Sequence, residues 1–218
     1  MDNFSKAYKG LETLKVFSIK HWTEKTFSFS CFRPNNLRFR SGEFVMIGLA
    51  DGEKPILRAY SIASPSWDEK LEFYSIKVED GPLTSRLQNL SEGDQIFLRP
   101  KPVGTLVLDA LLPGSRLILF STGTGIAPFA SIIRDPETYE RFDEVILTQT
   151  CRYNKELDYG RNLLDGIIKN DMVNSLVDNK LKLISTTTRE RSTCNGRMTE
   201  WLKKGRFKSE TGTDLSRA

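Results

Sequence analysis

Residues Leu117-Ile118-Leu119-Phe120 form an unbroken apolar run, and Ser121-Thr122-Gly123-Thr124-Gly125-Ile126-Ala127-Pro128-Phe129 follow at once. A half-solvated antiparallel strand would alternate; a strand covered on both faces, as in a parallel sheet between helices, would not. The two glycines let the chain turn tightly and approach a ligand, and Pro128 suits the first turn of a helix. Strand, glycine turn and helix start together aim free N–H groups at an anion, which makes the unit a phosphate-binding device. Alone it is weak evidence, because the third glycine of the full dinucleotide fingerprint and an acidic ribose partner are both missing.

The surrounding sequence changes pattern near Leu111-Leu112-Pro113-Gly114. Before it lie short strand-like runs at Val16–Ile19, Thr26–Ser30, Phe44–Leu49, Leu71–Val78 and Gln95–Leu98, cut by Pro34-Asn35-Asn36, Asp51-Gly52, Asp80-Gly81-Pro82 and Glu92-Gly93-Asp94. That spacing predicts an antiparallel barrel or sandwich with one short helix after Thr84, presenting Leu83, Leu87 and Leu90 on one face. After the break, Val145–Leu147 and Leu181–Ile184 predict further strands. Residues 155–169 predict a helix with Asn154 as N-cap and Leu157, Leu164 and Ile168 on its apolar face. The expected organisation is an all-β domain over 1–113 and an α/β domain over 114–218.

Composition removes several classes of function. A 39% hydrophobic and 28% charged chain of 218 residues can bury a core, so disorder, collagen and coiled coil fit poorly. The sequence lacks an apolar run near the ~20 residues of a membrane span and a leader-like start, so a cytoplasmic protein free of the membrane is expected. His21 is the only histidine, and Cys31, Cys151 and Cys194 stand far apart, which leaves little for a metal site, a Ser-His-Asp triad or a disulfide framework. Residues 1–113 hold 15 basic and 14 acidic side chains, and 114–218 hold 17 and 14. Over 186–208 seven basic residues face two acidic ones, a local net of +5 that suits a phosphate or an acidic partner. A solvated surface or a nucleic-acid patch would carry the same charge, although Trp201 and Phe207 are the only aromatics there.

Arginines follow the second and third strands of the α/β half: Arg152 just after Cys151, and Arg189 after Thr188. The carboxyl ends of parallel strands share one sheet edge, so both guanidinium groups converge on the ligand crevice. Guanidinium forks there favour a 2′-phosphate over a bare ribose hydroxyl and point to NADP(H), with structural ion pairs as the alternative. In the first half, Arg58-Ala59-Tyr60-Ser61 alternates as a strand with Arg58 and Tyr60 on one face. Gly81-Pro82-Leu83-Thr84-Ser85 opens the one helix of that half, a second place for an anion, with Arg58 as countercharge. Two phosphate-binding ends and a tyrosine able to stack on a flat ring suggest two dinucleotides.

These segments, with Arg86-Leu87 and Thr122 to Phe129, resemble in order and spacing the signatures of the ferredoxin–NADP+ reductases. Lys101-Pro102-Val103-Gly104-Thr105-Leu106 and Thr186-Thr187-Thr188-Arg189-Glu190 are similar to the bacterial branch. The resemblance runs from about Leu14 to Arg206. It implies an antiparallel β-barrel domain holding FAD, followed by an α/β parallel-sheet domain holding NADP(H). By matching position, Arg58 and Ala59 would hold the FAD, Tyr60 would stack on its ring system, and Ser61 would sit near flavin N5; Tyr60 and Ser61 are the candidates nearest the chemistry. Tyr74, Pro82, Leu83 and Thr84 would complete the flavin cradle. Thr122, Gly123, Thr124 and Gly125 would face the nicotinamide dinucleotide, and Cys151, Arg152, Thr188, Arg189 and Arg197 its 2′-phosphate side. For Cys151 a small buried strand-end role is the plainer reading. The implied partner is an acidic carrier, ferredoxin or flavodoxin, met by a monomer that binds neither metal nor nucleic acid. Family members continue with further strands and a flavin-covering tail, so the resemblance implies an α/β domain incomplete at its C-terminal side. The alternative function is an FAD-binding fragment without turnover.

Overall fold

The computed structural model describes residues 8–177, 179–192 and 194–215. Strands β1 (Glu12–His21), β2 (Thr26–Phe32), β3 (Phe44–Leu49), β4 (Ile56–Ser61), β5 (Lys70–Ile76) and β6 (Gln95–Val103) form one antiparallel sheet in the order β4-β3-β6-β1-β2-β5. The two outer strands meet where the Ala63 N–H donates to Glu72 O at 2.8 Å, so the sheet curls into a barrel. Alternation drives the curl, since Val16, Phe27, Phe29, Val45, Ile47, Phe73 and Leu98 all point inward and are buried. Phe29 sits directly opposite Phe73 across the β2–β5 ladder, with ring centroids 5.3 Å apart.

The helix expected after Thr84 is a single turn, α1 (Thr84–Leu87), whose Leu83 and Leu87 plug the barrel while Leu90 packs beside them, as the spacing predicts.

Strands β7 (Arg116–Thr122), β8 (Glu144–Cys151) and β9 (Leu181–Thr187) form a parallel sheet with β8 in the middle. Helices α2 (Ala127–Ile132), α3 (Pro136–Arg141), α4 (Asp158–Ile168) and α5 (Asp171–Val177) belong to the layer over Leu117, Leu119, Val145 and Leu147. Helices α6 (Met198–Lys203) and α7 (Arg206–Thr211) cover Ile118, Ile146 and Ile184 on the other face with Met198, Trp201 and Phe207. The apolar run at 117–120 is thus a strand between two layers. Trp201 and Phe207, the aromatics of the basic segment, are core residues and have no surface to stack on a base.

Three expectations need correction. Residues Asn154–Leu157 form a 3₁₀ turn, and the α-helix starts at Asp158. The buried face is Tyr159, Leu163 and Ile167, whereas Ile168 is 62% exposed. A 3₁₀ turn has about three residues per turn, so a helical phase extrapolated from Leu157 lands one residue off. Asn154 does not cap the helix: its N–H donates to Glu190 Oε2 at 2.6 Å and its Oδ1 accepts from Arg161. Helices α3, α5, α6 and α7 lie outside the sequence expectations. Of these α3 had a legible start, with Asp135 accepting from the Glu137 N–H ahead of Pro136.

Candidate functional site

Strand β4 is an edge strand, bonded to β3 along its length. Val45 pairs with Tyr60 and Ile47 with Arg58, so Arg58 and Tyr60 share one face as expected. Arg58 and Ala59 are exposed, and Tyr60 and Ser61 are half-buried. The Arg58 guanidinium bonds only its neighbour's carbonyl, Leu57 O at 2.8 Å, and forms no ion pair among the described residues, so it can receive an anion. Tyr60 is set edge-on against Phe73, and its hydroxyl lies 3.2 Å from Ser75 Oγ. Burial pushes its phenol pKa up. The ring is therefore neutral, oriented and partly open.

The turn before α1 is tight, because a Cβ on Gly81 would fall 2.1 Å from Thr84 Oγ1. Pro82 is exposed and Thr84 half-buried, with its hydroxyl donating to Val78 O. Leu83 is in the barrel core, so only its backbone can face a ligand. Tyr74 is buried too, its ring stacked on Tyr159 of α4 at 3.9 Å with 4° between planes, and Trp22 meets Tyr159 edge-on. The structure places Tyr74 in the seam between barrel and α/β layer.

On the α/β side, Thr122 ends β7 exposed, and Gly123–Ile126 make a 3₁₀ turn into α2. Gly123 has φ +53°, and a Cβ at Gly123 or Gly125 would meet nothing within 4 Å. The outer side of the turn is open. At the end of β8, Cys151 is buried and its thiol donates to Glu156 O at 3.6 Å. Burial pushes the Cys151 thiol up to about 11 and Cys31 to about 12. Cys151 is therefore a neutral, buried thiol at the strand end. Alkylation of the native protein at pH 8 should modify half-buried Cys194 and spare Cys31 and Cys151 until denaturant is added, as mass spectrometry of the labelled peptides would show.

Strands β8 and β9 stay paired past their ends, through Thr188 N–H to Cys151 O at 3.0 Å and Arg189 N–H to Arg152 O at 2.9 Å. Arg152 and Arg189 thus sit side by side on the sheet edge. The next loop folds back, Gly196 N–H donating to Thr187 O at 2.8 Å, which returns Arg197 to the start of α6 at the same edge. All three arginines are exposed, and no hydrogen bond or ion pair to their guanidinium groups exists among the described residues. The nearby carboxylates already have backbone partners: Glu156 accepts from the Arg152 and Tyr153 N–H groups, and Glu190 from Asn154. The edge thus presents three guanidinium groups without an ion-pair partner among the described residues, beside an open glycine turn. Exposed Tyr153, next to Arg152, joins it and was not singled out from sequence.

Barrel, open turn and arginine edge define a class of protein. A family model described as "Oxidoreductase FAD-binding domain" matches residues 14–107, which cover all but the first residues of the barrel. A flavodoxin/ferredoxin–NADP reductase of Rhodobacter capsulatus is 61% identical over 198 residues, covering 90% of this chain and 73% of that protein. A ferredoxin–NADP reductase of Pseudomonas aeruginosa is 48% identical, covering 93% of this chain and 78% of its own length. A crystal structure of a ferredoxin NADP+ reductase from Neisseria gonorrhoeae with bound FAD and NADP superposes with a TM-score of 0.85 at 29% identity, over 94% of this chain and 81% of that one. The chain belongs to the flavodoxin/ferredoxin–NADP reductase family of oxidoreductases.

Proposed function

We propose that this chain passes reducing equivalents between NADP(H) and a small acidic carrier, ferredoxin or flavodoxin, by way of FAD, in a reducing compartment such as the cytoplasm. The barrel, 1–113, holds FAD and residues 114–218 hold the nucleotide. The observation that carries this reading is the cluster of Arg152, Arg189 and Arg197 on one sheet edge without a carboxylate partner, beside an open glycine turn. Three exposed guanidinium forks, engaged by no group among the described residues, are free to make paired, charge-assisted hydrogen bonds and match a phosphomonoester.

The residues of the barrel fit the flavin by the chemistry of their donors. Arg58 offers an unpaired cation to a pyrophosphate, the exposed β4 edge offers backbone groups, and Tyr60 offers a fixed aromatic ring. When bound, FAD supplies the conversion between two-electron and one-electron chemistry, so the protein needs no acid–base residue for it. What the chain does is orient. Its Gly123–Gly125 turn admits a phosphate backbone, its arginines select the 2′-phosphate, and Ser61 places a hydroxyl near the reacting ring. The excess of basic side chains draws an acidic carrier. Three unpaired cysteines suit a reducing compartment.

The test is anaerobic reduction of the FAD-loaded protein by NADPH, followed by absorbance. Bleaching by NADPH and subsequent reduction of ferredoxin support the reading; a flavin left oxidised by NADPH counts against it. In Ser61→Ala the reduction rate should fall about tenfold, the equivalent of one hydrogen bond of ~1.5 kcal/mol made to the reacting ring. An unchanged rate removes Ser61 from the chemistry.

A further inference from the structure

Arg134 stands two residues after α2 and reaches out of the α/β layer into the barrel. Its Nη2 donates to Ala63 O, two residues past Ser61, and to Glu72 Oε2 at 2.8 Å, while its Nε donates to Ala130 O at 3.0 Å. The other oxygen of Glu72 accepts from the Tyr159 hydroxyl at 3.0 Å. Burial, with the Glu72 carboxylate beside it, holds the Tyr159 phenol well above its ordinary range, so it stays protonated and donates. The pair is largely enclosed, with side chains 20% and 19% exposed. Ion pairs removed from water give little net stability, since desolvation offsets attraction, but they fix geometry when every fork is satisfied.

The elements joined here are those that carry the two halves of the site. Glu72 lies on β5, Ala63 follows β4 with its Tyr60 and Ser61, Arg134 follows the helix opened by the Gly123–Gly125 turn, and Tyr159 opens the helix that follows Arg152. A second set of bonds lies along α2: Ser131 Oγ donates to Ser64 O at 2.7 Å and accepts from Gly42 N–H, and Asp135 accepts from Ser41 and Ser66. We infer that Glu72, Arg134 and Tyr159 form a positioning clasp that sets the spacing between the flavin-facing end of β4 and the nucleotide-facing glycine turn. None of the three need touch a cofactor; they act through Ala63 and α2. The assignment rests on the reductase reading above. It goes beyond it in naming what holds the two cofactor sites in register.

Glu72→Gln keeps shape and one acceptor. The pair borders a cavity of about 170 Å³, so water can reach Arg134 and the variant should fold and hold FAD. In that variant kcat with NADPH should fall by about tenfold or more while KM moves less than twofold, because misplacement costs the reaction and leaves nucleotide binding intact. Arg134→Lys keeps the charge and loses the fork, and should fall between variant and wild type. A structural role alone would instead lower FAD content and melting temperature with kcat per bound flavin unchanged, and that result overturns the clasp. Hydrogen exchange on the FAD-loaded protein without nucleotide gives an answer independent of turnover. Amides of 62–64 and 130–135 should exchange at least tenfold faster in Glu72→Gln, with β1 to β3 unchanged. Equal exchange in both proteins overturns the clasp even if wild type fails to oxidise NADPH, the outcome that would sink the reductase reading alone.

Discussion

Replacing Arg189 and Arg197 together by alanine should lower the preference for NADPH over NADH about a hundredfold, with kcat/KM for NADH nearly unchanged. Each guanidinium has no partner among the described residues, so its bonds to a 2′-phosphate would be made at no cost to an ion pair there. A charge-assisted bond contributes ~1.5–3 kcal/mol, and two at the lower figure give about 3 kcal/mol, or roughly a hundredfold. Each single variant should lose about tenfold. The dependence of KM for NADPH on ionic strength should flatten in the double variant, since fewer charges meet the phosphate. Equal NADPH preference before and after would remove these residues from nucleotide recognition and leave the arginine edge as a surface for the acidic carrier.

Gly48→Val should release the flavin and lower the melting temperature by about 6–12 °C, from a loss near 3 kcal/mol in a chain of this size. Gly48 lies on β3 opposite Leu57, and a Cβ there would fall 1.7 Å from Ile56 O and 3.0 Å from Leu57 Cα. Both are backbone atoms of β4 and cannot swing aside. β4 is paired along its length with β3 alone, so the strain is relieved by pushing away the strand that carries Arg58, Tyr60 and Ser61. FAD content after purification and thermal unfolding by circular dichroism measure the two effects. Gly114→Ala is the matched control, since a Cβ there meets nothing within 4 Å. Full flavin occupancy and an unchanged melting temperature in Gly48→Val would show that β4 is not held as described.

Much of this architecture was legible because it rests on local periodicity. The alternation of Phe27 and Phe29, the apolar run at 117–120 and the glycine turn after it each report a face, a layer or a bend within a few residues. Arg152 and Arg189 could be placed because parallel strands end on a common edge whatever packs around them. Helix α4 was misread by one position because a 3₁₀ turn shifts the phase ahead of it. Leu83, Tyr74 and Cys151 show where a motif stops being informative. Each lies in a segment that the motifs single out, yet Leu83 plugs the barrel, Tyr74 is stacked on Tyr159, and Cys151 is buried with its thiol on Glu156 O.

The sequence alone therefore determined the two kinds of sheet, the glycine turn after β7 and the arginines that follow β8 and β9, because each follows from the chemistry of neighbouring residues. Only the tertiary structure decided which side chains remain free to meet a ligand and which are used internally, and how the two halves are joined. Glu72 lies 62 residues from Arg134 and 87 from Tyr159, and none of the three carries a local signal of its partners. A carboxylate, a guanidinium and a phenol look like ordinary surface groups until packing removes water from around them, and from then on their bonds to one another hold the two domains in place.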